Sequence, residues 1–179
     1  MRDVHETAGS EAILSIPSVQ SFDAMAYVAI AVECAMAELP QKAPEAFPRL
    51  HEWCAEKGIE LGEGLFRYMH FTADGRTLVH VANLVEKSVS VPDGGEVFVG
   101  ELPAGNYAVA SHTGPYDVLY DSTVMLEGWL RGRRLEKDEA RAADKFEPAC
   151  QVEIYRSGPW QNVAPSEWRT ELRMKLSDG

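Results

Sequence analysis

One stretch, Glu101 to Leu130 (ELPAGNYAVASHTGPYDVLYDSTVMLEGWL), limits what the rest of the chain can fold into. Leu102-Pro103-Ala104-Gly105-Asn106 is a turn signal, because Pro presets φ while Gly and Asn tolerate φ > 0. Asn106 to Thr113 then predicts a strand, with Tyr107, Val109 and Ser111 on one face and Ala108, Ala110 and His112 on the other. Gly114-Pro115 ends that strand. Pro115 suits the first turn of a helix, where its missing N–H has no intrahelical partner to lose. Leu119, Thr123, Leu126 and Leu130 follow on one helical stripe, and Gly132 sits near its end.

The first half of the chain carries the same order. Residues 1–10 are expected to fray, and 11–16 to form a short edge strand ended by Pro17. Ala24 to Leu39 is ambiguous by propensity: its alanines favour helix, while the β-branched alternation of Tyr27 to Val32 favours strand. A helix follows up to Lys57, starting at Ala46 or Phe47 because Pro48 is tolerable only in a first turn, and Gly58 ends it. Gly64–Phe71 and Thr77–Val85 read as a hairpin turning at Asp74-Gly75, with Phe66, Tyr68 and His70 on one face. Pro92-Asp93-Gly94-Gly95 marks the midpoint, and Val97 to Glu101 leads into the stretch above. Beyond it, 136–145 is expected to be an exposed loop or helix extension, since it is charged and lacks an apolar stripe. Strands at 149–156 and 168–176 close the chain. In the last, Trp168, Thr170, Leu172, Met174 and Leu176 alternate with charged residues, predicting one buried and one wet face.

LHEWCAEKGIEL (50–61) and LEGWLRGRRLEK (126–137) superpose with Leu50 on Leu126 and Trp53 on Trp129. The expected fold is α+β: duplicated βαββ units forming an antiparallel-rich sheet, two helices on one face and a central ligand cleft at the seam. A length of 179 residues suits one domain, with pseudo-repeats at about 11–91 and 96–176.

A net charge of −11 argues against nucleic-acid binding, which needs clustered Lys and Arg. Cys34, Cys54 and Cys150 suit neither a disulfide framework nor a CxxC metal site, which points to a reducing compartment. No apolar run approaches the roughly 20 residues of a membrane span, so a cytoplasmic protein is expected. Motifs of catalysis fail one by one. His51-Glu52 opens an HExxH whose last position is Ala55. Gly62-Glu63-Gly64 opens a GxGxxG with Arg67 at the third glycine. Neither a phosphate loop nor a GxSxG elbow occurs, and no metal or cofactor is expected. Glu153 remains, in the strand Cys150-Gln151-Val152-Glu153-Ile154-Tyr155, where pattern alone leaves open an exposed sheet face or a costly burial.

The pattern lPaG.Ya…h.GpY..l…WL in Glu101–Leu130, together with Ala149–Leu176, resembles the GyrI-like small-molecule-binding family, which includes gyrase-inhibitory proteins and effector-binding domains of bacterial transcription activators. The resemblance implies a strand at about 24–33 and places Glu153 at the floor of a ligand cleft. It implies Phe66, Tyr68, Tyr107, Trp129 and Tyr155 as candidate aromatic walls, with Trp160 as a lid. The implied function is a stand-alone binding module for amphipathic, cationic or aromatic small molecules. One alternative is a hydrolase of strained-ring electrophiles with Glu153 as catalytic general base. A second is a protein antagonist of DNA gyrase whose acidic surface mimics DNA charge. The chain departs from the family pattern at Pro48 and in the charged segment 136–147, and no winged-helix or helix-turn-helix segment is expected ahead of the domain.

Overall fold

In the computed structural model, residues 12–86, 89–92 and 94–178 are described; Asp93 of the expected midpoint loop, and the N-terminal segment expected to fray, lie outside them. The strands are β1 (Ile13–Leu14), β2 (Ser18–Phe22), β3 (Met25–Ala35), β4 (Gly64–Thr72), β5 (Arg76–Leu84), β6 (Val97–Leu102), β7 (Gly105–Thr113), β8 (Glu139–Arg141), β9 (Lys145–Pro148), β10 (Gln151–Ser157) and β11 (Arg169–Lys175). The helices are α1 (Leu39–Lys42), α2 (Ala46–Lys57) and α3 (Leu119–Arg133). The ambiguous segment 24–39 resolves as an eleven-residue strand followed by a single 3-10 turn.

All pairings are antiparallel, in the order β1-β7-β11-β10-β4-β5-β3-β6, with β2 extending the β7 edge. Each half supplies a strand, a helix and a hairpin: β3, α2, β4–β5 and then β7, α3, β10–β11. The strand leading into each half crosses over. β2 precedes β3 but pairs with β7, while β6 precedes β7 but pairs with β3. The halves meet where β4 runs against β10, with Phe66 opposite Glu153 and Tyr68 opposite Gln151.

The two longer helices, α2 and α3, lie on one face. Glu153 pairs with Leu172, which packs under α3, and with Phe66, which packs under α2. Their inward stripes correspond at one spacing: Ala46, Leu50 and Cys54 in α2 match Ser122, Leu126 and Leu130 in α3, all buried. Gly58 ends α2 at φ 67, the left-handed value that glycine adopts without a Cβ clash.

The sheet curls strongly. Tyr27 of β3 and Tyr107 of β7 share one apolar cluster on the side away from the helices, although four strands separate them in the sheet. The curl corrects the wet face expected of the last strand: Arg173 and Lys175 are buried there, Arg173 stacked 3.6 Å over the Phe22 ring and Lys175 bonded to Asp138 at 3.0 Å. Segment 136–145 is also corrected. It enters a hairpin, β8–β9, whose second strand adds to β4 with Phe146 opposite Phe71. Aromatic stacking of those two rings at 5.6 Å and cation contacts from Lys137 and Arg141 hold a segment that has no apolar stripe of its own.

Candidate functional site

The residues of the seam come together on the helix side of the sheet. Alternation along β10 turns Val152 and Ile154 into the curled interior and Glu153 and Tyr155 toward the helices. β4 does the same with Phe66 and Tyr68. Tyr68 Oη donates to Glu153 Oε1 at 3.0 Å, and Tyr155 Oη donates to Oε2 at 3.0 Å. Each carboxylate oxygen therefore has a phenol donor, one from each half of the chain.

Rings extend outward in two directions. On one side Tyr155 meets Phe66 edge-on at 5.3 Å, and Phe66 stacks on Phe47 of α2 at 5.8 Å. Tyr155 also meets Tyr116 at 5.5 Å, and Tyr116 meets Trp168 at 4.7 Å. On the other side Tyr68 stacks on Phe71 at 5.4 Å, and Phe71 on Phe146. A register shift between Tyr68 and His70 makes the second row possible. The bulge changes parity, so Phe71 follows Tyr68 on the same face at an odd spacing.

Burial governs the electrostatics. Glu153 keeps a little accessible surface, yet it lies deep in the fold, and depth rather than area sets its proton affinity. Desolvation pushes its carboxyl above the usual glutamate value; the two tyrosine donors oppose this without cancelling it. Tyr68 and Tyr155 are held well above the usual phenol value by burial and by the Glu153 charge. Tyr116 is pushed up to about 12 by the same two causes.

Of the residues singled out from sequence, Glu153, Phe66, Tyr68 and Tyr155 share this cluster. Tyr107 does not: it lies on the opposite face, in the curled interior, with its hydroxyl donating to the Pro103 carbonyl. Its strand parity is opposite to that of the helix-facing Ala108 and Ala110. Trp129 packs beside the α3 core under the Arg133 guanidinium at 5.4 Å, on the flank of the helix rather than its inward stripe. Trp160 stands 60% exposed on the loop after β10, with its ring against Gly158. Sequence reasoning missed Tyr116 and Phe71 as members. Tyr116 had a signal, the Gly-Pro-Tyr that places it at the helix entrance between the halves; Phe71 had none, because the bulge hides its face. His112 is a local hydrogen-bonding residue, its Nδ1 paired with Ser122 Oγ at 2.8 Å.

A separate hollow of about 360 Å³ lies between the end of α3 and β8, lined by Glu127, Leu130, Lys137 and Glu139 among others. Its walls are ion-paired, Lys137 Nζ standing 2.8 Å from Glu127 and 3.3 Å from Glu139. It lies apart from the tyrosine cluster. Among the described residues no group of His, Cys, Asp and Glu is placed to hold a metal ion, and no helix is long and apolar enough to cross a membrane.

A curled antiparallel sheet with paired βαββ halves and a carboxylate between tyrosines at their seam defines the class. The chain belongs to the GyrI-like family: the model of the GyrI-like small molecule binding domain matches residues 17–177. Among solved structures, EcmrR in a complex with DNA superposes with a TM-score of 0.69 at 15% identity, covering 93% of this chain and 58% of the EcmrR chain. SAV2435 bound to tetraphenylphosphonium superposes with a TM-score of 0.59 at 13% identity, over 91% of this chain and 94% of that one. A hydrolase from Listeria innocua superposes with a TM-score of 0.60 at 14% identity, over 90% and 91%. At these identities the likeness is one of fold. No curated protein sequence matches the chain.

Proposed function

We propose that the chain binds amphipathic, cationic or aromatic small molecules between its two halves, with Glu153 as the charge partner and Phe66, Tyr68, Tyr116 and Tyr155 as the surrounding rings. The observation that carries this reading is the buried carboxylate with a tyrosine donor on each oxygen at 3.0 Å. Such a carboxylate is oriented, poor in competing water and flanked by ring faces. A cation brought beside it gains Coulomb attraction in a medium of lower dielectric than water. It also gains cation–π attraction of about 0.5–2 kcal/mol per ring. SAV2435, which shares the fold, is a tetraphenylphosphonium complex. Calorimetric titration of that cation against wild type and Glu153→Gln tests the assignment; equal affinities would remove Glu153 from it.

A second reading, hydrolysis of strained-ring electrophiles, is favoured by the raised proton affinity of Glu153. A carboxylate so placed would take a proton from an attacking water as a general base. Mass spectrometry on an electrophilic cyclopropane separates the two: ring-opened product from wild type but not from Glu153→Gln supports turnover, while intact compound leaves binding alone.

A further inference from the structure

Buried polar atoms without a hydrogen-bond partner are rare in folded proteins, and each calls for a physical reason. Among the described residues, three of them stand on the helix-bearing face of the sheet or directly over it: Tyr116 Oη, Gln151 Oε1 and Thr170 Oγ1. Gln151 shares the face of Glu153 two residues along β10, and Thr170 is the cross-strand partner of Tyr155. Three of the five such atoms among the described residues thus lie on the side of the proposed charge partner; the other two, Arg67 Nε and Glu139 Oε2, lie elsewhere.

Tyr116 stands at the meeting of the two halves. Its ring packs on Tyr155 and Trp168, and it touches the apolar clusters under both helices. A Cβ built on Gly158 would come within 2.5 Å of Tyr116 Oη and would fall on the Trp160 ring. The absence of that Cβ leaves room for the Trp160 ring and the Tyr116 hydroxyl beside Gly158. Tyr116 Oη makes no hydrogen bond to Glu153, whose two oxygens accept from Tyr68 and Tyr155.

We infer that Tyr116 determines ligand specificity: with Trp160 moved aside, its hydroxyl binds a hydroxyl or N–H group that the ligand carries next to its cationic aromatic body. The preferred ligand is thus not a plain lipophilic cation but one with a polar donor. A donor suits the site because Gln151 Oε1 only accepts and the Tyr116 and Thr170 hydroxyls both can. This inference rests on the cation-binding reading above and refines it.

The test uses the full chain and two matched cations, tetraphenylphosphonium and (4-hydroxyphenyl)triphenylphosphonium, titrated against wild type and Tyr116→Phe. Wild type is expected to bind the hydroxylated cation about tenfold more tightly, the size of one net hydrogen bond. Tyr116→Phe keeps the ring and is expected to bind the two cations equally, the hydroxylated one losing its roughly tenfold advantage; its melting temperature should be unchanged or higher, because the removed hydroxyl has no partner inside the protein. A preference that survives in Tyr116→Phe, or no preference in wild type, overturns the inference and leaves the Glu153 reading standing. A Tyr116→Phe chain that melts lower or fails to fold also overturns it, by showing that the hydroxyl is bonded within the fold. Failure of wild type to bind either cation removes both.

Discussion

Glu153→Gln removes one negative charge and almost no volume. One of the two phenols at 3.0 Å keeps an acceptor in the amide oxygen, while the other faces the amide N–H2 and can accept from it through its hydroxyl oxygen, so the ring positions are kept and the main change is in charge. The phenyl shell of tetraphenylphosphonium keeps its phosphorus roughly 6 Å from a carboxylate. At that distance and an effective dielectric of about 20, the Coulomb attraction is about 3 kcal/mol. The amide dipole recovers part of this, so a net loss of about 1.5–2.5 kcal/mol is expected, roughly 10- to 70-fold in Kd. Isothermal titration at low and moderate salt reads it directly. Screening should change the wild-type value little, because the pair lies below the surface.

Stability supplies the control. Burial raises the folded-state pKa of Glu153, so the native chain holds its proton more firmly than the unfolded chain. That contribution is fully present below the unfolded value and is lost as pH rises through the folded one. At neutral pH the ionised carboxylate therefore weighs against folding, and Glu153→Gln should melt at the same temperature as wild type or higher. A folded Glu153→Gln protein that binds the phosphonium as tightly as wild type would refute the reasoning. So would a variant that loses affinity only because it has lost its fold.

Other consequences are equally concrete. Phosphonium affinity should fall on acidification at a pH above that of an ordinary glutamate, because the raised carboxyl protonates early; the Glu153→Gln profile should be flat over the same range. Gly158→Ala should lower stability by about 1–3 kcal/mol in a denaturant titration, since its Cβ collides with the Trp160 ring and approaches Tyr116 Oη to 2.5 Å. Leu50→Ala and Leu126→Ala should each cost about 2–5 kcal/mol, and by similar amounts, because both are fully buried at matching places under the two helices.

Local patterns were legible wherever a residue's environment follows from its neighbours in the chain. The turn at Pro103, the alternation of β7, the stripe of α3 and the end of α2 at Gly58 all depend on backbone preference and side-chain period, and each is found. The strand carrying Glu153 was legible for the same reason, and resemblance singled out its carboxylate. What the pattern of β10 left open was which side of the sheet would be covered. The pairing of β4 with β10 decided that, by placing Glu153 opposite Phe66 between two helices.

Where pairing and curvature act between distant segments, the one-dimensional pattern misleads. The charged run after α3 is a hairpin because β4 offers it an edge and Phe71 a ring to stack on. Tyr107, one residue from the helix-facing Ala108, ends in the curled interior beside Tyr27, and Arg173 and Lys175 are buried because the same curl covers them. Tyr116 and Phe71 join the site through the seam and a bulge. The sequence by itself determined the family and most of the elements, those that rest on short-range sterics and apolar period. Only the tertiary structure decided the β8–β9 hairpin, which face holds the candidate site and which rings surround Glu153, because pairing and burial are settled by what packs on a segment from far along the chain.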